Sequence, residues 1–289
     1  MDRVATIGFF DGMHVGHRYL LKTLLTIARQ QHLAPLVVTF SQHPRTVLLP
    51  NDPPQLLMTS DERLHAIHEQ GIDSVQVLNF SEVRTWTKRQ FMHYLKHELG
   101  VAVLLMGYNH HFGCDGNADF AEYQREAEEE QLLLIQAQPY LYADRVVSST
   151  VIRNLLLSRQ LEVANAMLLT PYALSGKVVH GQQIGRSIGF PTANLLPTTP
   201  YKLIPATGVY AVEVLIEDVV YKGVLNIGTN PTVGGKTQTL EVYIQNFTGD
   251  LYDQTIVVRF LHFLREEQRF ASLDELRRQI LSDCRSAFC

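Results

Sequence analysis

Two histidines, His14 and His17, flank a Val-Gly pair in the stretch ATIGFFDGMHVGHRYLLKTL at residues 5–24. A short apolar run precedes them and a helical-looking run follows. Backbone N–H groups at a helix N-terminus attract anions, and a glycine such as Gly16 lets a phosphate approach the main chain. The i, i+3 spacing puts both rings on one side of the first turn. From there they can contact a triphosphate and stabilise charge on a transferred phosphoryl group and a departing pyrophosphate. Two other readings stay open: polar residues at a surface helix start, and a zinc site. The zinc reading needs a third ligand, and i, i+4 is the commoner helical pair.

A second set of groups lies in GQQIGRSIGFPTANLL, residues 181–196. A Walker A loop needs four residues between its glycines and then Lys. Here three residues separate Gly181 from Gly185, and Arg186 follows, so that reading fails. A phosphate-cradling loop of another type survives, because glycine amides and an arginine are good phosphate partners. Thr192 and Asn194 would face one side of an extended segment. Their neutral oxygens suit Mg²⁺. Taken alone, the pattern also fits an ordinary turn-rich barrel loop. Glu241, in TLEVYIQ, has Leu240 and Val242 pointing the other way, so it reads as a lone carboxylate or as part of a solvated strand face.

These groups need elements to hold them. RVATIGFF and LAPLVVTF read as buried strands, and the helix between them carries Leu20, Leu24 and Ala28 on one stripe. A helix stopped by Gly71, the strand SVQVLNF, a helix capped by Thr87 and Gln90, and the strand VAVLLM follow. Alternating strands and helices imply a parallel sheet with crossover connections, whose ligands sit beyond the C-terminal strand ends. The His14–His17 stretch, GYNHHFGCDG and SSTVIR are therefore expected as three loops converging on one crevice. After about residue 170 the pattern becomes β-branched and aromatic, an antiparallel barrel or sandwich, with Glu217-Asp218 as a hairpin turn. Ser272 and Glu275 cap a closing helix. The domain boundary is expected near 165–172, dividing 1–168 from 169–289.

Composition narrows the classes. The 289 residues are 46% hydrophobic with net charge −4, so a globular chain of one large or two ordinary domains is expected. No long basic run tracks a phosphate backbone, which argues against nucleic acid. Cys114, Cys284 and Cys289 form no CxxC pair, which fits a reducing cytoplasm. No apolar run nears the roughly 18 residues of a membrane span, and no signal-peptide core opens the chain.

TIGFFDGMHVGH resembles the HxGH signature of the nucleotidyltransferase superfamily. VVTFSQHPRTVLL, LLMGYNHHFGCDG and VVSSTVIR resemble three further motifs of bacterial FAD synthetases, in the family's order. GRSIGFPTANL, PATGVYAV, VLNIGTNPT, the long stretch LEVYIQNFTGDLYDQTIVVRFLHFLREEQRF, and SLDELRRQI resemble a riboflavin kinase domain. The whole chain is thus similar to the bacterial bifunctional riboflavin kinase/FAD synthetase family. That resemblance implies a Rossmann-like nucleotidyltransferase domain followed by a kinase β-barrel with a closing helix. It also implies two reactions, riboflavin plus ATP to FMN, then FMN plus ATP to FAD and pyrophosphate.

Residue roles follow by the same resemblance. His14 and His17 match histidines that bind ATP and stabilise adenylyl transfer, with Gly8, Phe10, Asp11, Gly12 and Gly16 in the same ATP-binding stretch. Asn109 matches a position near ATP and flavin, and Ser148, Ser149, Thr150 and Arg153 a loop that grips the nucleotide. Gly185, Arg186, Gly189, Thr192 and Asn194 match the kinase's ATP site, the last two holding Mg²⁺, and Glu241 its general base. The implied partners are riboflavin, FMN, FAD and ATP, with no nucleic acid or membrane, in a monomer or weak homo-oligomer. Phe9, His110, Asn230, Tyr243, Gln245, Asn246 and Asp253 depart from residues frequent in relatives. Two other classes remain as alternatives. One is a non-catalytic flavin- or nucleotide-binding regulator, disfavoured by two intact reaction sites. The other is an RNA-linked enzyme, disfavoured by the negative charge.

Overall fold

The computed structural model describes residues 2–108, 110–116, 119–143, 145–181, 185, 189–232 and 235–288, with the backbone alone at 230–232 and 235–237. The chain divides into two compact units, Met1–Ser149 and Thr150–Cys289.

The first unit runs β1 (Arg3–Ile7), α1 (Val15–Gln31), β2 (Ala34–Phe40), α2 (Pro44–Leu48), α3 (Ser60–His68) and β3 (Val75–Leu78). It continues with α4 (Phe80–Val83), α5 (Lys88–His97), β4 (Val101–Met106), α6 (Phe120–Glu129) and β5 (Leu133–Gln136), then a short hairpin of β6 (Leu141–Tyr142) and β7 (Arg145–Val146). Strands β1 to β5 form one parallel sheet in the order β3-β2-β1-β4-β5. The strands are apolar on both faces because helices cover both faces. On one side Val4, Val37, Val103 and Leu105 meet Leu21, Leu24 and Ala28 of α1 and Ala66 and Ile67 of α3. On the other, Ala5, Ile7, Val38 and Leu104 meet Phe91, Met92 and Leu95 of α5 and Tyr123 and Ala127 of α6. Each buried Leu or Phe contributes about 1.5–3 kcal/mol relative to exposure. The order reverses direction between β1 and β4, which opens the crevice at their C-terminal ends.

Local signals agree. Thr87 and Gln90 form a reciprocal capping box for α5, and Thr59 and Glu62 do the same for α3. Gly71 and Gly100 take φ of +82° and +64° after their helices.

The second unit begins within α7 (Ser149–Leu157), followed by α8 (Leu161–Leu168). The barrel strands are β8 (Tyr172–Val179), β9 (Thr192–Pro197), β10 (Gly208–Ile216), β11 (Val219–Thr232), β12 (Gly235–Ile244) and β13 (Thr255–Arg265), and α9 (Leu273–Ser286) closes the chain. The strands close in the order β10-β11-β12-β9-β8-β13, every pair antiparallel. Of the two architectures the pattern allowed, the barrel forms. Ile216 pairs with Val219, so Glu217 and Asp218 make the expected two-residue turn, with Glu217 at φ +52°. Ser272 caps α9, but the Glu275 carboxylate accepts from the Ala271 N–H, not that of Ser272. Strand β8 begins at Tyr172, whereas the compact units divide at Ser149/Thr150, 22 residues earlier, and α8 packs on β13 and β8.

Candidate functional site

Beyond β1 the backbone turns sharply. Gly8 N–H donates to the Val38 carbonyl at 3.1 Å, and Phe10, Gly12 and Met13 take φ of +59°, +85° and +37°. Asp11 fixes this loop from within. Its buried carboxylate accepts the N–H groups of Leu57 and Met58 at 3.0 and 2.9 Å, and its carbonyl accepts the Ser149 hydroxyl at 2.8 Å. The loop delivers His14 to the N-cap of α1, where Nδ1 accepts from the His17 N–H at 3.3 Å. That bond leaves the His14 ring proton on Nε2. A methyl group on Gly16 would press on the His14 ring, 3.2 Å from Nδ1.

The two imidazoles stack at 3.6 Å between centroids and 18° between planes, with the Phe10 ring edge-on to His17 at 5.3 Å. His17 Nδ1 is buried with no hydrogen-bond partner among the described residues. Burial, reinforced by His14 alongside, pushes the His17 pKa well below the ordinary imidazole value. His17 is therefore neutral and can offer an uncharged N–H. Among the described residues, three-ligand groups for a metal do not include this pair, so nothing supports the zinc reading here.

Sequence reasoning missed a cation beside this loop. Arg63 of α3 is 1% exposed, stacks over Phe9 at 3.8 Å and donates to the Phe40 carbonyl at 2.7 Å. Burial lowers its pKa to about 10, against the opposing pull of Asp11. Its only sequence signal is an arginine inside an ordinary helical pattern.

After β4 the GYNHHFGCDG loop is held by a second buried cation. Lys88 Nζ lies 2.9 Å from Asp115 and 3.1 Å from Glu122, and its N–H donates to Asp115 at 3.0 Å. Burial alone would lower the Lys88 pKa; its two carboxylate partners outweigh that and raise it. The Tyr123 hydroxyl donates to the Phe112 carbonyl at 2.7 Å and accepts its N–H at 2.9 Å. Burial pushes His110 down to about 4, with His111 adding to the effect. Asn109 lies outside the described residues. SSTVIR is not a loop throughout: Ser149, Thr150 and Arg153 belong to α7, and Ser148 immediately precedes it.

The barrel gathers the other candidates on one outward face. Glu241 pairs with Asn194, and Tyr243 with Thr192, across β12 and β9. Asn226 of β11 flanks Glu241 on its other side. Leu240 and Val242 point inward and are buried, as their alternation requires. Described residues ahead of β9 lie against this face. A methyl group on Gly181 would overlap the Asn194 amide, and one on Gly185 would overlap the Phe190 carbonyl. Phe190 N–H donates to Gly185 at 2.8 Å, and its ring meets Tyr243 at 5.0 Å. Gly189 has φ +84°, and Arg186 lies outside the described residues. Burial, then the charge of Glu267, raises the Glu241 pKa. Asp253 has φ +64°, the region glycine favours.

The described residues thus place a histidine pair on a helix start at a parallel-sheet switch point, and a carboxylate opposite Asn194 on the barrel. The FAD synthetase family model matches residues 1–151 and the riboflavin kinase family model residues 168–288. The bifunctional riboflavin kinase/FMN adenylyltransferase of Escherichia coli K12 is 39% identical, over 97% of this chain and 90% of its own length. The protein of the same description from Pseudomonas fluorescens is 38% identical, over 98% and 91%. A crystal structure described as a macrolide-efflux protein from Streptococcus pneumoniae superposes with a TM-score of 0.89 at 29% identity, covering 99% of this chain and 93% of that one. No helix among the described residues is long and apolar enough to cross a membrane. The chain belongs to the bifunctional riboflavin kinase/FMN adenylyltransferase family. It is a transferase with FAD synthetase chemistry in its N-terminal half and riboflavin kinase chemistry in its C-terminal half.

Proposed function

We propose that Glu241 is the general base of the kinase half and that His14 and His17 serve adenylyl transfer in the other half. The observation that carries the kinase assignment is the register placing Glu241 opposite Asn194. Glu241 accepts the proton of the ribityl 5′-hydroxyl as the bond to the γ-phosphate forms. Thr192 and Asn194 offer neutral oxygens that suit Mg²⁺, and the close approach of the Gly181 backbone to the Asn194 amide fixes that side chain. Bound there with ATP, Mg²⁺ would neutralise charge on the β- and γ-phosphates. Gly185, Arg186 and Gly189 belong to the loop that cradles those phosphates.

In the first unit, the N–H groups of the α1 start and the two imidazoles, His17 in its uncharged form, donate to the triphosphate of the second ATP. Gly8, Phe10, Gly12 and Gly16 shape the loop for close approach, and Asp11 positions it by holding Leu57 and Met58. Asn109, Ser148, Ser149, Thr150 and Arg153 complete the nucleotide and flavin contacts. The adenylyltransferase domain runs to about residue 168 and the kinase domain from 169. The enzyme works in the cytoplasm on riboflavin, FMN and ATP, as a monomer or weak homo-oligomer, without nucleic-acid or membrane partners.

Incubation of the full chain with riboflavin, ATP and Mg²⁺, followed by flavin chromatography, tests this reading. FMN should appear first and FAD after it, and chelation should stop the first step. A protein that binds flavin without turnover would be a regulator, and the reading would fall.

A further inference from the structure

We propose that His93, His97 and Glu130 form a surface site for a divalent transition metal of Zn²⁺ type, separate from both transferase sites. His93 and His97 stand i, i+4 on the last turns of α5, their ring centroids 4.3 Å apart. Glu130, at the C-cap of α6, brings Oε2 to 2.9 Å from His93 Nδ1 and 3.5 Å from His97 Nε2. All three ligand atoms lie within 4.8 Å of one another. Bonds of about 2.0–2.2 Å in tetrahedral geometry separate ligand atoms by about 3.4 Å, so small side-chain shifts seat the ion. Two imidazoles and one carboxylate form a zinc donor set, and imidazole selects against Mg²⁺ and Ca²⁺.

The surroundings orient the ligands. Arg89 Nε lies 3.4 Å from the other carboxylate oxygen, Oε1, which leaves Oε2 turned to the histidines. Lys96 donates to the Gln131 carbonyl at 3.0 Å, tying the end of α6 to α5. Such outer partners fix the direction of a ligating carboxylate. The histidine side chains are 61% and 53% exposed, so water has access to a fourth coordination position. Lys88 already clasps the starts of α5 and α6 through Asp115 and Glu122. The metal would clasp their ends.

The test uses the untagged full chain, with Zn²⁺ titrated in competition against a chromophoric chelator and melting followed in parallel. The chain should bind one equivalent, Zn²⁺ should raise its melting temperature, and excess Mg²⁺ should not displace it. His93→Ala/His97→Ala should lose both the equivalent and the thermal shift while making FMN and FAD at the parent rates. Glu130→Gln, which keeps the side-chain shape, should also lose stoichiometric binding. Absence of a bound equivalent in the parent would overturn the site. So would an equivalent retained by the double variant, which would place the zinc elsewhere, for instance at His14 and His17.

Discussion

Glu241 stands directly opposite Asn194 across the ladder between β12 and β9, with Asn226 on its other flank. Opposed residues have Cβ atoms about 4.5–5.5 Å apart. The proposed base is therefore held next to the proposed metal-phosphate ligand by backbone pairing, not by a loop. Glu241→Gln keeps size and one acceptor oxygen but cannot take a proton. FMN formation should fall by roughly 10²–10⁴, while FAD formation from added FMN continues. Both rates measured in one preparation decide it: a kinase rate within a few-fold of the parent would return Glu241 to the strand surface.

The raised pKa of Glu241 has a directional consequence. If its ionised form is the base, as proposed, kinase kcat should drop on the acid side at a pH above the ordinary glutamate range. Burial is the larger cause and Glu267 the second. Glu267→Gln removes a negative charge, favours ionised Glu241, and should move the acid limb to lower pH. An unmoved limb in the pH–kcat profile would remove Glu267 from the account.

Gly181 predicts a separable defect. A methyl group there would overlap the Asn194 amide, and the end of a short side chain can only rotate away. Gly181→Ala should therefore raise the KM for ATP in FMN formation with little change in melting temperature and none in FAD synthesis. Unchanged kinase kinetics would show that Asn194 is not held by this contact.

His17→Ala should act on the other half-reaction. Removing one preorganised donor typically costs about 10²–10³ in rate, so FAD formation should slow by that range with FMN formation near normal. An equal fall in both rates would point to a folding defect, which circular dichroism and melting would expose.

Much of this was legible from residue order because it is local. The α1 stripe, the Thr87–Gln90 capping box and the alternation around Glu241 depend on neighbours within one or two turns. What was not legible depends on partners far away in sequence. The β3-β2-β1-β4-β5 order and the pairing of Glu241 with Asn226 are products of strand pairing, and the charge of Glu267 comes from the segment just past β13. Arg63 and Lys88 look like the solvated faces of their helices. Only tertiary packing buries them, with Lys88 finding Asp115 27 residues away. Helix α6 went unread because Tyr123 and Ala127 are its only buried residues, too few to make a stripe. In SSTVIR the resemblance implied a grip on the nucleotide, but its start of a helix is a property of how the segment docks.

The uncharged state of buried His17 also bears on what would happen after the new bond is made. With His14 and His17 in the proposed role, adenylyl transfer would leave a highly charged pyrophosphate beside them. A unit charge pair at 4 Å is worth about 4 kcal/mol near a protein surface, roughly a thousandfold in dissociation. A charged His17 would add a grip of that strength on the product; an uncharged His17 donates a hydrogen bond in the crossing and then lets go. The burial that keeps His17 uncharged thus guards turnover against arrest by its own by-product.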